Sequence, residues 1–232
     1  MKRAALLVLV AGCASDVDPP WQLDHDRIIA VRATPPHIPA GATSKLDLFV
    51  GHKGAMTATQ PPDFTKVVSP MSLADVVTGD TVTAPGEDRL AAARTELGLA
   101  DGAPVPLQIG VGVASLQLAA TKTVWLGDSA DNPTLDGLMI DDAPAPAAGT
   151  MLTVPPLTDI HLFVQADDAV DIVNWLTSCG TMHDFDLHKA YLRVEKDDPT
   201  SGELSVVLRD DKGGVAWEVW PITSDAAARP SR

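Results

Sequence analysis

The densest set of side chains that could do chemistry is His183, Asp184, Asp186 and His188, where imidazole beside carboxylate suits zinc or another transition metal. On a strand, His183 and Asp184 would point to opposite faces, and on a loop the spacing constrains little, so a solvated loop accounts for the same residues. Cysteine occurs twice, at positions 13 and 179. With Cys13 committed elsewhere, as argued below, Cys179 has no partner in the chain. It is a buried inert thiol, half of a disulfide with another chain, or a reactive site, and burial is the ordinary fate of a free cysteine. His183 and His188 lie near it in sequence, but a nucleophile needs a base placed in space. The sequence contains no Gly-x-Ser-x-Gly elbow, no His-Glu-x-x-His and no phosphate-cradling glycine loop, so no catalytic residue is assigned and no enzyme is expected.

Asp128, Asp131 and Asn132 supply hard oxygen ligands of the kind calcium takes, with Asp167, Asp168 and Asp171 as further candidates if folding brings them near. The set is similar to the linker of cadherins in those first three positions, with Ala130 where a ligand-type residue would stand. Calcium is the one cofactor this chemistry suggests. The competing account is that Asp and Asn are good turn formers. Trp175, Trp217 and Trp220 read as core or sheet-face residues; exposed together on one face they would instead form a flat carbohydrate site.

The N-terminus carries the most specific chemistry. Lys2 and Arg3 form a positive n-region, 4–10 an uncharged apolar run, and Val10-Ala11-Gly12-Cys13 a small-residue cleavage site ending on cysteine. These four positions resemble the bacterial lipobox, which implies that the Cys13 thiol accepts a diacylglycerol and becomes the first residue of the mature chain, with palmitate among its acyl groups. The apolar run is too short to span a bilayer as a resident helix. Ala14, not Asp, follows the cysteine, which under the sorting rule of some envelopes directs the protein to the outer membrane. Removal of 1–12 leaves 220 of 232 residues (232 less 12) and, with Lys2 and Arg3 gone, takes the net charge from −14 to −16. A chain this acidic without a basic cluster is a poor partner for nucleic acid or anionic lipid heads.

The elements that must position these residues are strands. Nineteen Pro and 17 Gly among many Val, Leu and Thr favour short strands and turns over long helices. After a polar tether over 13–24, alternation predicts strands at 27–33 and 45–50, with Leu46, Leu48 and Val50 on one face and Lys45, Asp47 and Phe49 on the other. The span 51–60 reads as loop, 65–69 and 81–84 as short strands. Between 88 and 97, Leu90, Ala93 and Leu97 at helical spacing before Gly98 predict a helix, an insertion over 87–98 covering one end of a sheet. The spans 106–113 and 116–126 look like a closing hairpin. The acidic, turn-rich 127–133 marks a boundary. Beyond it, strands are expected at 135–140, 159–165, 170–177, 189–195, 204–209 and 215–220, with a hairpin loop at 210–214, and the tail 223–232 is expected to be frayed.

Three stretches carry a wider resemblance: Trp175 with Thr177-Ser178-Cys179-Gly180, Leu208 to Trp217 through Asp210-Asp211-Lys212-Gly213-Gly214, and the opening Ile28-Ile29-Ala30-Val31-Arg32-Ala33-Thr34-Pro35-Pro36. They resemble surface lipoproteins of myxobacteria and their relatives, over the signal, the first strand and most of 133–222. The resemblance implies Ig-like modules at the cell envelope and brings no catalytic residue. The expectation is therefore an all-β protein of two tandem antiparallel Ig-like β-sandwich domains, 25–127 with the helical insertion and 133–222, behind a cleaved signal peptide. Its expected role is that of a lipid-anchored, non-enzymatic structural or interaction module, binding an envelope protein or glycan. The alternative is a carbohydrate- or calcium-binding surface protein.

Overall fold

A computed structural model describes residues 19–166 and 170–225. Cys13 with the signal segment, Asp167, Asp168 and the tail from 226 onward lie outside the described residues. The first half contains β1 (Arg27–Thr34), β2 (His37–Ile38), β3 (Thr43–Gly51), β4 (Ala58–Gln60), β5 (Phe64–Ser69), β6 (Val77–Thr78), β7 (Thr81–Thr83), α1 (Glu87–Leu97), β8 (Val105–Val113) and β9 (Leu118–Leu126). The second contains β10 (Leu135–Ile140), β11 (Ala143–Pro144), β12 (Leu152–Val154), β13 (Ile160–Ala166), β14 (Val170–Thr177), β15 (Thr181–His183), β16 (Lys189–Arg193), β17 (Ser201–Asp210) and β18 (Val215–Ser224).

Both halves repeat one topology. In the first, a sheet β1-β3-β7-β6, with β4 also on β3, faces a sheet β2-β9-β8-β5. In the second, β11-β10-β13-β16-β15 faces β12-β18-β17-β14. Apart from the short extra strands, this is the strand arrangement of an Ig-type sandwich, reached twice. The pairing is not antiparallel throughout. In each half a short strand crosses to the opposite sheet and pairs the last strand in parallel, β2 with β9 and, after the β10–β11 hairpin, β12 with β18.

Alternation fills the cores as the pleat requires. Leu46, Leu48 and Val50 of β3 meet Leu107, Ile109 and Val111 of β8 in the first core. Ile160, Leu162 and Val164 of β13 meet Leu204, Val206 and Leu208 of β17 in the second, around the fully buried Trp175 and Trp220. The two indoles satisfy their N–H groups on the carbonyls of Leu187 (2.8 Å) and Pro146 (2.9 Å). Helix α1 bridges β7 to β8. It starts at an extended Gly86, carries Glu87 and Asp88 in its first turn where the helix dipole favours acid, buries Leu90 and Ala93, and stops at Gly98 in the left-handed region (φ 67°). Its buried Arg94 donates Nε to the Ala103 carbonyl (2.6 Å) and pairs with Glu87.

A third apolar cluster joins the halves face to face. Ala30 of β1 and Phe49 of β3 pack with Leu176, Val207, Val215 and Trp217 of the second domain, and Leu23 joins them. These residues occupy the strand positions opposite to those that fill each sandwich's own core. Polar contacts pin the same interface. Trp217 Nε1 donates to Thr59 Oγ1 (3.0 Å), the Thr57 amide donates to Glu203 (2.6 Å), and Arg209 Nη2 donates to the Ile29 carbonyl (3.1 Å). The β17–β18 turn is gripped by Lys122, whose Nζ donates to the Gly213 carbonyl (2.5 Å), and by His37 at the Lys212 carbonyl (2.8 Å).

Three expectations are corrected. The tether over 13–24 does not extend to its end as a free linker: Leu23 is buried, the Thr177 amide donates to the Trp21 carbonyl (2.9 Å) and the Leu23 amide to the Thr177 carbonyl (2.9 Å). Trp21 and Leu23 are apolar enough to bury, and they lay the lead-in along the edge of β14. Within the expected loop 51–60, residues Ala58–Gln60 pair with β3. The tail expected over 223–232 is still strand at Thr223 and Ser224, and the Asp225 amide donates to the Val154 carbonyl (3.0 Å). The span 127–133 lies between β9 and β10 and also joins the interface through Asn132.

Candidate functional site

Because the sheet β1-β3-β7-β6 turns its outer face to the outer face of β12-β18-β17-β14, each sandwich keeps one uncovered sheet face. On the second domain that is the outer face of β11-β10-β13-β16-β15, and the register brings its side chains into rows. Met139 pairs Phe163, which pairs Lys189, so these three cross the sheet in one line. In the next line His161 pairs Tyr191, which pairs His183. The His183 ring stacks on Tyr191 with centroids 4.6 Å apart and planes at 12°, His161 tilts against the same ring at 6.3 Å, and the Lys189 ammonium lies 5.8 Å from the Phe163 centroid. His161 and His183 are exposed, while Phe163, Tyr191 and Met139 are half-buried.

A two-residue turn between β10 and β11 walls the end of this face. Asp141 (φ 47°) and Asp142 (φ 64°) both occupy the left-handed region, where a hairpin of this length ordinarily takes Asn-Gly. Asp141 continues the ladder past the end of β10: its amide donates to the His161 carbonyl (2.9 Å) and its Oδ1 accepts from the His161 amide (2.9 Å). The result is an open groove of about 600 Å³ lined by Met139, Asp141, Asp142, His161, Phe163 and Lys189, with Gln165 alongside. At the far end of β16 the charges are spent on one another, since Arg193 pairs with Asp159 (3.0 Å) and Glu195 (2.5 Å), both of which hold its guanidinium pKa above the usual value. The groove thus offers ring faces, hydrogen-bond acceptors and donors together.

The residues singled out by sequence fall in different places. His183 ends β15, Asp184 follows with φ 54°, and Asp186 and His188 are exposed in the turn toward β16. Their side chains do not converge; His183 stacks on Tyr191 and the Leu187 amide closes the turn on the Asp184 carbonyl (3.0 Å). Among the described residues no group of three or more His, Cys, Asp or Glu is placed to hold a metal ion. Asp128 is an exposed carboxylate. Acceptance from the Ser129 amide (2.7 Å), then contact with His37 Nδ1 (3.2 Å), lowers its pKa. Asp131 is exposed beside it. Asn132 uses both ends of its amide between the domains: Nδ2 donates to the Ala33 carbonyl (2.9 Å) and Oδ1 accepts from the Val215 amide (2.8 Å). Asn132 thereby ties the two domains together. Asp171 is exposed on β14.

Cys179 is fully buried and unpaired, with Sγ 3.1 Å from the Pro199 carbonyl. Burial, and to a lesser degree the charge of Asp198, pushes the thiol up to about 11, the opposite of what a reactive cysteine needs. Trp175 and Trp220 belong to the core and Trp217 to the interface, so these three indoles make no exposed platform. A second concavity of about 390 Å³ lies between the domains, lined by Ile29, Lys122, Ile172, Arg209, Asp210 and Gly213 among others. Burial there pushes Lys122 down to about 8, against a partial opposing pull from Asp210, and also lowers Arg209.

The sequence analysis singles out His183 of these rows but not His161, Phe163, Tyr191, Met139 or Lys189. The available signal was ring residues at outward positions of two neighbouring strands; their alignment depends on a register that single strands do not disclose.

No family model matches the chain, and no curated protein matches it. Among solved structures, the fibronectin(III)-like modules of Clostridium thermocellum CbhA are similar to it at 13% identity and a TM-score of 0.31, over 88% of this chain and 98% of that one. The N-terminal Ig1-2 module of the Drosophila receptor protein tyrosine phosphatase DLAR is similar at 9% identity and a TM-score of 0.30, over 86% and 98% respectively. Likeness of this extent carries no argument about activity, and the Ig-type architecture stands on the sheet pairing itself.

Proposed function

We propose that the protein is a lipoprotein of the cell envelope, anchored at the outer membrane through lipid on Cys13, and that it works as a non-enzymatic structural or interaction module. The supporting observation is the face-to-face packing of the two sandwiches, which holds the pair as one body and leaves the ring-bearing face of the second directed outward. Binding surfaces act best when carried on rigid elements, and a sandwich offers its faces and loops for that purpose. The membrane is then one partner, through the lipid, and an envelope component met by the outward face is the other. The Lys2-Arg3 n-region and the Val10-Ala11-Gly12-Cys13 site support the anchor.

Two measurements test the reading. Labelled palmitate should enter the wild type and not Cys13→Ser, with the labelled chain in the outer-membrane fraction; label in the serine variant, or none in the wild type, removes the anchor. A photo-crosslinking residue at position 161 should give a defined adduct in intact envelopes, whereas one at position 121 on the first domain should not. Equal adducts from both positions, or none from either, would remove the interaction role.

A further inference from the structure

We propose that the groove across β10, β13 and β16 binds a neutral oligosaccharide. The inference rests on the interaction-module reading and names the ligand class of that same face. A pyranose ring has an apolar C–H face and a rim of hydroxyl groups that both donate and accept. The groove matches this division. Phe163 and His161 bring rings to the groove and Met139 extends the apolar floor, while Tyr191, stacked on His183, flanks it. Around the floor, Asp141 and Asp142 accept, Lys189 donates, and Gln165 does either.

The charges exclude the other classes. A polyanion would meet two carboxylates for each ammonium at the groove, on a chain of net charge −14. A cationic ligand would meet Lys189, which ends the Met139–Phe163 row with its ammonium 5.8 Å from the Phe163 ring. A polyhydroxyl chain without charge can use donors and acceptors alike. A protein partner of ordinary size would look for a wider apolar surface, whereas the exposed aliphatic residues Ile172 and Leu187 are not among those lining the groove. Each row crosses three strands, two gaps of about 4.8 Å, so the floor is about 10 Å long, roughly the reach of two linked sugar rings.

The turn geometry is a further indication. Two successive non-glycine residues in the left-handed region cost stability that Asn-Gly would avoid, and here the cost places carboxylates at the rim of the groove. Asp141 recovers part of that cost through the His161 amide.

Tyr191 is the single tyrosine of the sequence and its ring lies against His161 of the groove, so a chain labelled with fluorotyrosine reports from the groove's flank through one ¹⁹F resonance. The experiment titrates the unlipidated mature chain (Cys13→Ser) with hexamers of β-1,4-glucan, α-1,4-glucan, mannan and chitin to millimolar concentration, and with heparin as a polyanion. At least one neutral hexamer should move the line saturably. Phe163→Ala should weaken that binding about tenfold, equivalent to about 1.4 kcal/mol. Asp142→Ser, at an exposed position that leaves the core intact, should weaken it measurably, while Thr121→Ala on the first domain leaves it unchanged. The proposal is overturned if no neutral hexamer moves the line, if heparin alone moves it, or if the shift survives both groove variants. Because the chain is unlipidated, this outcome is read independently of whether Cys13 is acylated.

Discussion

The Arg32 guanidinium carbon lies 3.9 Å from the centroid of the Trp217 ring, so a cation of the first domain caps an indole of the second. Asp47 fixes that guanidinium through Nε (3.1 Å) and Nη2 (2.6 Å), while Phe49, at 5.5 Å and 13° to the indole, stacks with the same ring. Both domains thus depend on one side chain at their contact. Trp217→Ala should cost about 3 to 5 kcal/mol and let the domains separate. Small-angle scattering should show a larger radius of gyration and limited proteolysis should cut within 127–134. An unchanged scattering profile would mean that the polar contacts suffice.

Lys122 gives the interface a pH dependence. Its pKa in the folded chain, about 8, lies below the unfolded value of 10.5, so the unfolded chain binds more protons between these limits and stability rises with pH there. The full span is on the order of 3 kcal/mol. Cys179 has the opposite sign, since its thiol is raised from 9.0 to about 11 and stability falls as pH climbs through that interval. The contribution of Lys122 therefore stands apart from that of Cys179 between pH 8 and 9. Denaturant midpoints across that window should rise in the wild type and stay flatter in Lys122→Met.

The same burial makes Cys179 a reporter of unfolding. An aromatic disulfide reagent at pH 8 should leave the native thiol unmodified and react at once in denaturant. Fast native labelling would show that the chain opens locally around Thr177 and Pro199.

Asn132 should not tolerate a carboxylate. In Asn132→Asp an oxygen replaces the Nδ2 donor and faces the Ala33 carbonyl, leaving two acceptors opposed at 2.9 Å. A loss of about 1 to 3 kcal/mol is expected in chemical denaturation. Calcium should not restore the loss; recovery on adding calcium would reinstate an ion at this junction.

Gly51 is needed for its lack of a side chain. A Cβ there would lie 2.8 Å from the His25 carbonyl oxygen and 3.1 Å from that of Leu23. Gly51→Ala should displace the lead-in segment at about 1 to 3 kcal/mol. Faster amide exchange at Thr177, whose N–H is held by the Trp21 carbonyl, is the readout.

The long strands were legible because a half-buried strand must alternate: Leu46, Leu48 and Val50, or Leu204, Val206 and Leu208, announce their inward face without help from the rest of the chain. The helix was equally legible from Leu90, Ala93 and Gly98. Strands of two or three residues such as β2, β11, β12 and β15 have no periodicity to read. The interface was hidden for another reason. Lys45, Asp47 and Phe49 looked like a solvent face because two of the three are charged, yet Asp47 spends its charge on Arg32 and Phe49 is buried. The paired apolar residues on the reverse of β17 and β18, Val207, Val215 and Trp217, were the available sign that this sheet is covered twice. Likewise the ring rows of the candidate site exist only once β13, β15 and β16 are in register.

The docking of Trp21 and Leu23 on the second domain, before the chain enters the first, sets the path of mechanical force. A pull from the N-terminal side reaches the body at Thr177, where two hydrogen bonds and a buried leucine take the load together. Undocked, the same pull would arrive at Arg27, the first rung of β1 opposite Gly51, and open that ladder one rung at a time. The lead-in thus passes tension to the end of β14 before it can reach the β1 ladder.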